Sequence, residues 1–426
     1  MTLICMVVFF LLLLVGTPIA FALGLGAVAG ILQSEFLHLI TVPQKMLGGI
    51  NSFSMIAVPL YIIAGNLCGE TGLAKRLVRF CSALVGHIPG GTGLVNVLAS
   101  MFFGGISGSA VADTAAIGGM IIPVMEDEGY EADYAGGITC ASSTIGILIP
   151  PSIPQCLYAL AGGVSIGAMF MAGLVPGLFV GFAQMVIAYL ISKKRNYPCH
   201  PKASRQELWA AFKESYLALI LPLIILIGCG LGIATATEVG CIAVLYALFL
   251  GVFVYKEFKW KDLPDLIVRS ATTTAVALLT VGVATVVAYI INMEQIPALI
   301  VHFFETYCNS LPLILLLVNL ILFLVGCVMD LVPAMLLFAP IFLPVVQAYG
   351  MNPLQFGCMM TINLGIGLCT PPVGNCLFIA AGIAKQDIFK LFRAALPFLA
   401  CNVASLVLCA LWEPFTTFIP HLLNYI

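Results

Sequence analysis

The sequence predicts an all-α polytopic membrane protein built as an inverted repeat, with two re-entrant helical hairpins and two broken transmembrane helices. Three observations predict it. First, 62% of the 426 residues are hydrophobic and 8% are charged, with a mean hydropathy of +1.13. A soluble domain carries about 25% charged residues. Second, apolar runs of the ~20 residues that a spanning helix needs recur from end to end. Third, the chain partly matches itself when displaced by 221 residues. Gly105 falls on Gly326, Pro123 on Pro344, Gly129 on Gly350, Gly136 on Gly357, Gly146 on Gly367, and Pro150-Pro151 on Pro371-Pro372. These are residues that break or bend backbone, so both halves should share the same interruptions.

The same composition excludes several classes. Short alternating segments of the β-barrel kind are missing. No polar stretch is long enough for a sizeable soluble domain, no basic cluster suits nucleic acid, and no Walker sequence suits ATP. The fifteen cysteines are scattered through apolar segments without C-x-x-C spacing. They read as small hydrophobes, with no metal or disulfide role.

In chain order, helices are expected over 2–32, 52–70, 131–163, 166–193, 215–233, 236–256, 271–292, 353–384 and 393–421. The first run, "MTLICMVVFFLLLLVG", lacks a basic start and a cleavage site, so it reads as a retained helix. Amphipathic arms are expected over about 72–86, 203–214 and 258–270, lying flat against membrane lipid. Segments 89–127 and 311–349 are interrupted midway by "GGISGSAVAD" and "GCVMDLVPA". Each fits a helix pair that dips in and turns back. Irregular backbone at membrane depth survives only inside protein or beside a watery cavity.

Sixteen of the 17 Lys and Arg residues fall in the arms and loops of one side, and Lys45 alone is left for the other. The positive-inside rule makes the basic side cytoplasmic. Nine crossings follow, with the N-terminus inside and the C-terminus outside. The first hairpin then enters from the cytoplasm and the second from the opposite side. Trp209 and Trp260 in the basic arms suit the interface.

The helix after each hairpin carries a Pro-Pro pair: "SSTIGILIPPSIP" at 142–154 and "NLGIGLCTPPVGN" at 363–375. Proline lacks the amide hydrogen and clashes with the preceding turn. Each helix should therefore unwind mid-membrane, freeing carbonyls and exposing a positive and a negative helix end. Inverted repeats with discontinuous helices are the pattern of secondary transporters.

Polar residues cluster at these interruptions. An intramembrane acid is a functional candidate by default, and hydroxyls with bare carbonyls are hard ligands suited to Na⁺ or H⁺. The cation-site candidates are Ser107, Ser109, Asp113, Thr144 and Gly146 in the first half. In the second they are Gly326, Asp330, Gly365, Gly367 and Thr370. Asp113 either sits behind the hairpin tip, orienting backbone or balancing charge, or caps the second hairpin helix. Asp330 aligns with Ser109, so the two sites should be similar without being identical. Ser152 and Asn375, with Pro150, Pro371 and Gly374, are candidate substrate contacts. No intramembrane Arg is available to clamp a carboxylate, which leaves helix ends, tip amides and bound Na⁺ for that task.

"GGISGSAVADTAAIG", "IPVM", "STIGILIPPS" and "GLCTPPVGNCLF" resemble the large membrane (M) subunit of TRAP (tripartite ATP-independent periplasmic) transporters over nearly the whole chain. The resemblance implies an elevator-type transporter of the ion-transporter superfamily in the bacterial inner membrane. It would import an organic acid such as sialic acid or a C4-dicarboxylate, coupled to Na⁺ at two or more sites. It implies two partners: a small four-helix membrane subunit, expected as a separate chain, and a periplasmic substrate-binding protein. It also implies that Ser107, Ser109 and Asp113 matter for transport. The expected division is 1–88 scaffold with the first arm, 89–165 first transport half, 166–310 scaffold and arms, 311–384 second transport half, and 385–426 C-terminal arm and helix.

Two other readings compete. One is a stand-alone cation-coupled anion carrier or antiporter of the same superfamily. The other is an intramembrane serine protease, since "GISG" at 105–108 fits G-x-S-G. That nucleophile needs a base in reach. His38, His87, His200, His302 and His421 all fall in loops or at expected interfaces, and H-E-x-x-H is absent, so no enzyme is expected.

Overall fold

The computed structural model describes residues 1–307 and 310–425. Residues 308, 309 and 426, which fall in the expected 166–310 and 385–426 segments, lie outside the described residues. Those described form helices and turns, and eight stretches are long and apolar enough to cross a membrane.

The N-terminal run is not one helix. α1 (Thr2–Leu14) and α2 (Ile19–Leu32) are separated by Gly16, at φ +86°, and Pro18. They fold back on each other. A Cβ on Gly26 would lie 2.7 Å from the Cys5 carbonyl, and one on Gly30 would lie 3.2 Å from the Cys5 Cβ. Small residues allow this close antiparallel approach. Each helix is ~20 Å long at 1.5 Å per residue, short of the ~30 Å hydrocarbon core.

α3 (Thr41–Ile50) follows, then α4 (Ala57–Glu70), the basic amphipathic α5 (Leu73–Val85), and the first hairpin, α6 (Gly91–Ser107) and α7 (Ala110–Asp127). α8 (Ala132–Ser142) runs into a 3₁₀ turn, Ser143–Ile147, breaks, and resumes as α9 (Ile153–Gly162). α10 (Ile166–Arg195), α11 (Arg205–Gly230) and α13 (Leu263–Met293) are long, and α12 (Ala236–Phe249) reaches spanning length by continuing through a π-helical turn, Leu250–Val254. The expected arms at 203–214 and 258–270 are largely continuous with α11 and α13. A Ser204–Glu207 capping box starts α11 at its basic end, and no breaker separates arm from span. α14 (Ile296–Tyr307) precedes the second hairpin, α15 (Leu311–Val328) and α16 (Leu331–Ala348). α17 (Pro353–Leu368) breaks before α18 (Asn375–Ala384). The expected helix over 393–421 is two helices, α19 (Ile388–Leu411) and α20 (Pro414–Leu422), parted just before Pro414.

The first correction changes the topology. The Met1 amine bonds Glu294 Oε1 at 2.6 Å, and that partner holds the Glu294 carboxyl down to about 2. Glu294 caps the end of α13 remote from Lys259, Lys261 and Arg269. The N-terminus therefore lies opposite the basic side, not on it. Replacing one crossing by a helix pair leaves eight, an even number, so both termini share that side.

The hairpins enter from opposite faces, as expected. Glu128, at the base of the first, meets His200 Nε2 at 3.0 Å, and Glu131 pairs with Arg195, both on the basic side. Asn352, just past the second, bonds Glu413 at 3.2 Å, beyond the far end of α19. Neither pair crosses. Each tip stops against a break, and α9 and α18 continue ten residues past it, or ~15 Å.

Candidate functional site

The two broken helices and the two tips meet in one place. Backbone glycines make the contact. A Cβ on Gly104 would lie 2.5 Å from Gly146 Cα, and one on Gly367 would lie 2.5 Å from the Gly326 carbonyl carbon. Hydrogen bonds tie tip to break in both halves: Ile153 N donates to Gly108 O at 3.2 Å, and Val373 N donates to Cys327 O at 3.1 Å. The breaks also touch each other. A Gly365 Cβ would meet the Ile147 side chain at 2.6 Å, and Cys369 Sγ donates to Cys140 O at 3.1 Å.

A cavity of about 480 Å³ opens between the tips and α13. Its wall includes Ala110, Ile153, Leu331 and Asn375, the first residues of α7, α9, α16 and α18. Four helix N-termini therefore converge on one space. Each carries roughly half a positive charge on its unsatisfied amides. Among the described residues, the only charged side chain in the wall is Asp330.

Most sequence-derived candidates lie at this junction, with different roles. Ser109 caps α7 by accepting from Ala112 N at 3.4 Å, and it lines the cavity. Asp330 holds the matching N-cap position of α16 and accepts from Asn375 Nδ2 at 3.1 Å. Ser107 ends α6, buried, and its hydroxyl has no partner. Asp113 is fully buried in the first turn of α7. Because Ser109 is the cap, Asp113 is free of that duty. Ser100 lies beside its carboxyl, yet neither Asp113 oxygen makes a hydrogen bond of ordinary geometry. The Pro151 and Pro150 carbonyl oxygens face tip glycines, 2.7 Å and 3.4 Å from where Cβ atoms of Gly108 and Gly105 would sit.

Other candidates are engaged locally. Ser152 caps α9, donating to Ile147 O at 2.6 Å and accepting from Gln155 N at 3.3 Å, so its hydroxyl is used inside the break. Thr370 donates to Ile366 O at 2.8 Å. Gly374, at φ +42°, starts α18, a conformation that favours glycine. Thr144 donates to Ala141 O at 2.7 Å and accepts from Asn402 Nδ2 at 2.6 Å.

That last contact reveals residues that sequence reasoning missed. Asn402 of α19 also accepts from Gln184 of α10 at 2.9 Å, and Gln184 donates to Ala141 O at 3.2 Å. All three side chains are buried, so α10 and α19 brace the first break from behind. Asn96 donates to Thr139 at 2.6 Å and Ser100 meets Ser142 at 3.3 Å, tying α6 to α8. Asn363 donates to Asn319 Oδ1 at 2.7 Å, tying α17 to α15. Lone amides in apolar helices were the available signal.

Paired hairpins, paired breaks and a shared cavity invite comparison with known proteins. Residues 6–415 match the family described as the tripartite ATP-independent periplasmic transporter, DctM component. The chain belongs to this family. It is 39% identical over 96% of both chains to the sialic acid TRAP transporter large permease protein SiaM of Vibrio cholerae. It is 36% identical to the 2,3-diketo-L-gulonate large permease YiaN of Escherichia coli, over 96% of this chain and 95% of that one. It is 35% identical over 97% of both chains to the C4-dicarboxylate large permease DctM of Rhodobacter capsulatus. Its fold is similar to that of the Alcanivorax borkumensis YdaH transporter, with a TM-score of 0.67 at 15% identity over 97% of this chain and 98% of that one. The chain is thus a TRAP large permease, one component of a tripartite transporter and not an enzyme. It is a multi-pass protein of the bacterial inner membrane.

Proposed function

We propose that this permease imports an organic acid by Na⁺-coupled, elevator-type secondary transport. The solute would arrive from a periplasmic binding protein, and a small four-helix subunit would brace the scaffold. The names of the relatives point to sialic acid, 2,3-diketo-L-gulonate or a C4-dicarboxylate as the class of solute.

One observation carries the reading: four helix N-termini face a single cavity that, among the described residues, no basic side chain lines. An anion can be held there by amides and helix dipoles. Asp330 opposes it until a cation neutralises the wall. Hard oxygen ligands for Na⁺ stand at both tips. Ser107 Oγ and the Pro150 and Pro151 carbonyls serve the first, and Asp330 with the Gly326–Gly367 junction serves the second. Asp113 supplies negative charge behind the first tip.

We assign α6–α10 and α15–α20 to the moving body and α1–α5 and α11–α14 to the scaffold. This moves α10 out of the expected scaffold and puts α19, from the expected C-terminal arm and helix, in the moving body, because their buried amides hold the first break.

The test is uptake into proteoliposomes holding the permease, its small subunit and the binding protein. Labelled sialic acid, 2,3-diketogulonate and succinate are offered with inward Na⁺ or choline gradients. One of them should accumulate with Na⁺ alone. Each net positive charge moved inward adds about 2.3 kcal/mol per 100 mV, or ~50-fold in accumulation. Equal uptake in choline refutes Na⁺ coupling.

A further inference from the structure

A second cavity, of about 680 Å³, opens beside the first between α4, α7 and α13. Thr272 and Thr273 line both, so the two spaces are joined along α13. Arg269, Thr272, Thr273, Val276 and Thr280 all border this joined space. Their spacing puts them on one face of α13, which they follow for ~16 Å. The Thr272 and Thr273 hydroxyls donate to Val268 O and Arg269 O at 2.9 and 3.1 Å, leaving oxygen lone pairs toward the space. A polar track thus runs from the hairpin tips to the basic side.

At its end stand Glu70 of α4 and Arg269, the only charged side chains among the described residues of the second cavity's wall. Arg269 Nη1 meets Glu70 Oε1 at 3.0 Å, with the arginine side chain 67% exposed. A guanidinium offers five donors in a fork that matches a carboxylate. Glu70 pairs with it through one nitrogen. A departing anion leaves four helix ends behind, and the next positive group on its way is Arg269, one helical turn past Thr272.

We propose that Arg269 is an exit site for the substrate's carboxylate at the cytoplasmic mouth, with Glu70 as its built-in competitor. The pair sets how strongly the cytoplasmic side retains or recaptures solute. The proposal rests on the organic-acid reading of the first cavity. It goes beyond the topological role that the positive-inside rule gives any such arginine, because it depends on guanidinium geometry and on one face of the membrane.

The test compares half-saturation on the two faces of the reconstituted three-component complex, with labelled sialic acid and succinate as probes. External values come from Na⁺-driven uptake and internal values from efflux and counterflow. Arg269→Gln should raise the internal value about three- to fivefold, the range of an exposed ion pair, with the external value unchanged. Glu70→Gln should lower the internal value. Arg269→Lys keeps the charge and the membrane orientation, and should fall between wild type and Arg269→Gln. Internal values that stay at wild type in both Arg269→Gln and Glu70→Gln overturn the proposal, as does an equal shift on both faces. If wild type carries no organic acid at all, the underlying reading falls and the exit site falls with it.

Discussion

Replacing Asp113 by Asn should stabilise the sodium-free permease while removing the first tip's share of its response to sodium. The carboxyl is fully buried and neither oxygen has an ordinary hydrogen bond. An ionised carboxylate in that setting costs several kcal/mol unless a cation neutralises it. The amide of Asn keeps the shape and removes the charge. Thermal unfolding of the purified protein in choline should therefore give Asp113→Asn a Tm equal to or above that of wild type. Adding Na⁺ reverses the order. A ligand at 100 times its Kd stabilises the folded state by about 2.7 kcal/mol. Wild type should gain on that order per occupied site, and Asp113→Asn should lose the share belonging to its site. Na⁺-driven uptake should fall at least tenfold. The two readouts move in opposite directions, which separates a binding role from general damage. An unchanged Na⁺-induced Tm shift in Asp113→Asn would refute the reasoning, whatever happened to uptake.

Three further outcomes follow from the same contacts. Asn402→Ala removes two buried hydrogen bonds, to Thr144 and from Gln184. At about 1–3 kcal/mol for each group left unpaired, the Na⁺ half-saturation should rise about tenfold while Asn402→Gln recovers part of it. A pure stability loss with unchanged Na⁺ dependence would reject the bracing role. Gly104→Ala puts a methyl 2.5 Å from Gly146 Cα, backbone that cannot step aside. It should destabilise by more than the ~1–3 kcal/mol of ordinary overpacking, read as lost monodispersity on gel filtration, whereas Gly48→Ala, with open space around it, should behave as wild type. An epitope tag before Met1 should react with antibody in spheroplasts without permeabilisation, since the N-terminus lies opposite the basic side. Reaction only after lysis would restore the single-helix reading of 2–32.

The features legible in the sequence were those written in local chemistry. Pro150-Pro151 and Pro371-Pro372 cannot continue a helix wherever they sit, so both breaks could be read without coordinates. "GISGS" could be read as a tip because its residues suit no lipid-facing helix. The α1–α2 fold-back was hidden because Gly16, Thr17 and Pro18 interrupt an otherwise continuous apolar run, and hydropathy carries no direction. The Asn402–Thr144 bond was hidden for another reason. Its partners are 258 residues apart, and no local pattern says which face of α19 meets which turn of the first break. Repeat symmetry did not help, because its matched positions are backbone-breaking residues while the bracing amides differ between halves. Asn402 and Gln184 serve the first break, whereas Asn319 and Asn363 tie α15 to α17 in the second half.

That no basic side chain among the described residues lines the cavity explains why coupling would be obligatory under the transport reading. A fixed arginine would bind the organic anion whether or not sodium were present, and the anion could then slip across alone. Here the permanent positive potential comes only from helix ends, and Asp330 offsets part of it. An anion entering an unloaded site meets a wall close to neutral. Sodium at the two tips would change the sign of that wall and fix the glycine junctions that aim the amides. Substrate affinity would then become a function of cation occupancy, which is the thermodynamic content of symport. The same logic makes a test by gain of function. An arginine introduced at Val332, in the cavity wall beside Asp330, should let the anion bind without sodium and exchange across the membrane in choline. Strict sodium dependence retained by a folded Val332→Arg protein that still binds substrate would show that coupling is enforced by motion of the tips and not by the charge of the wall.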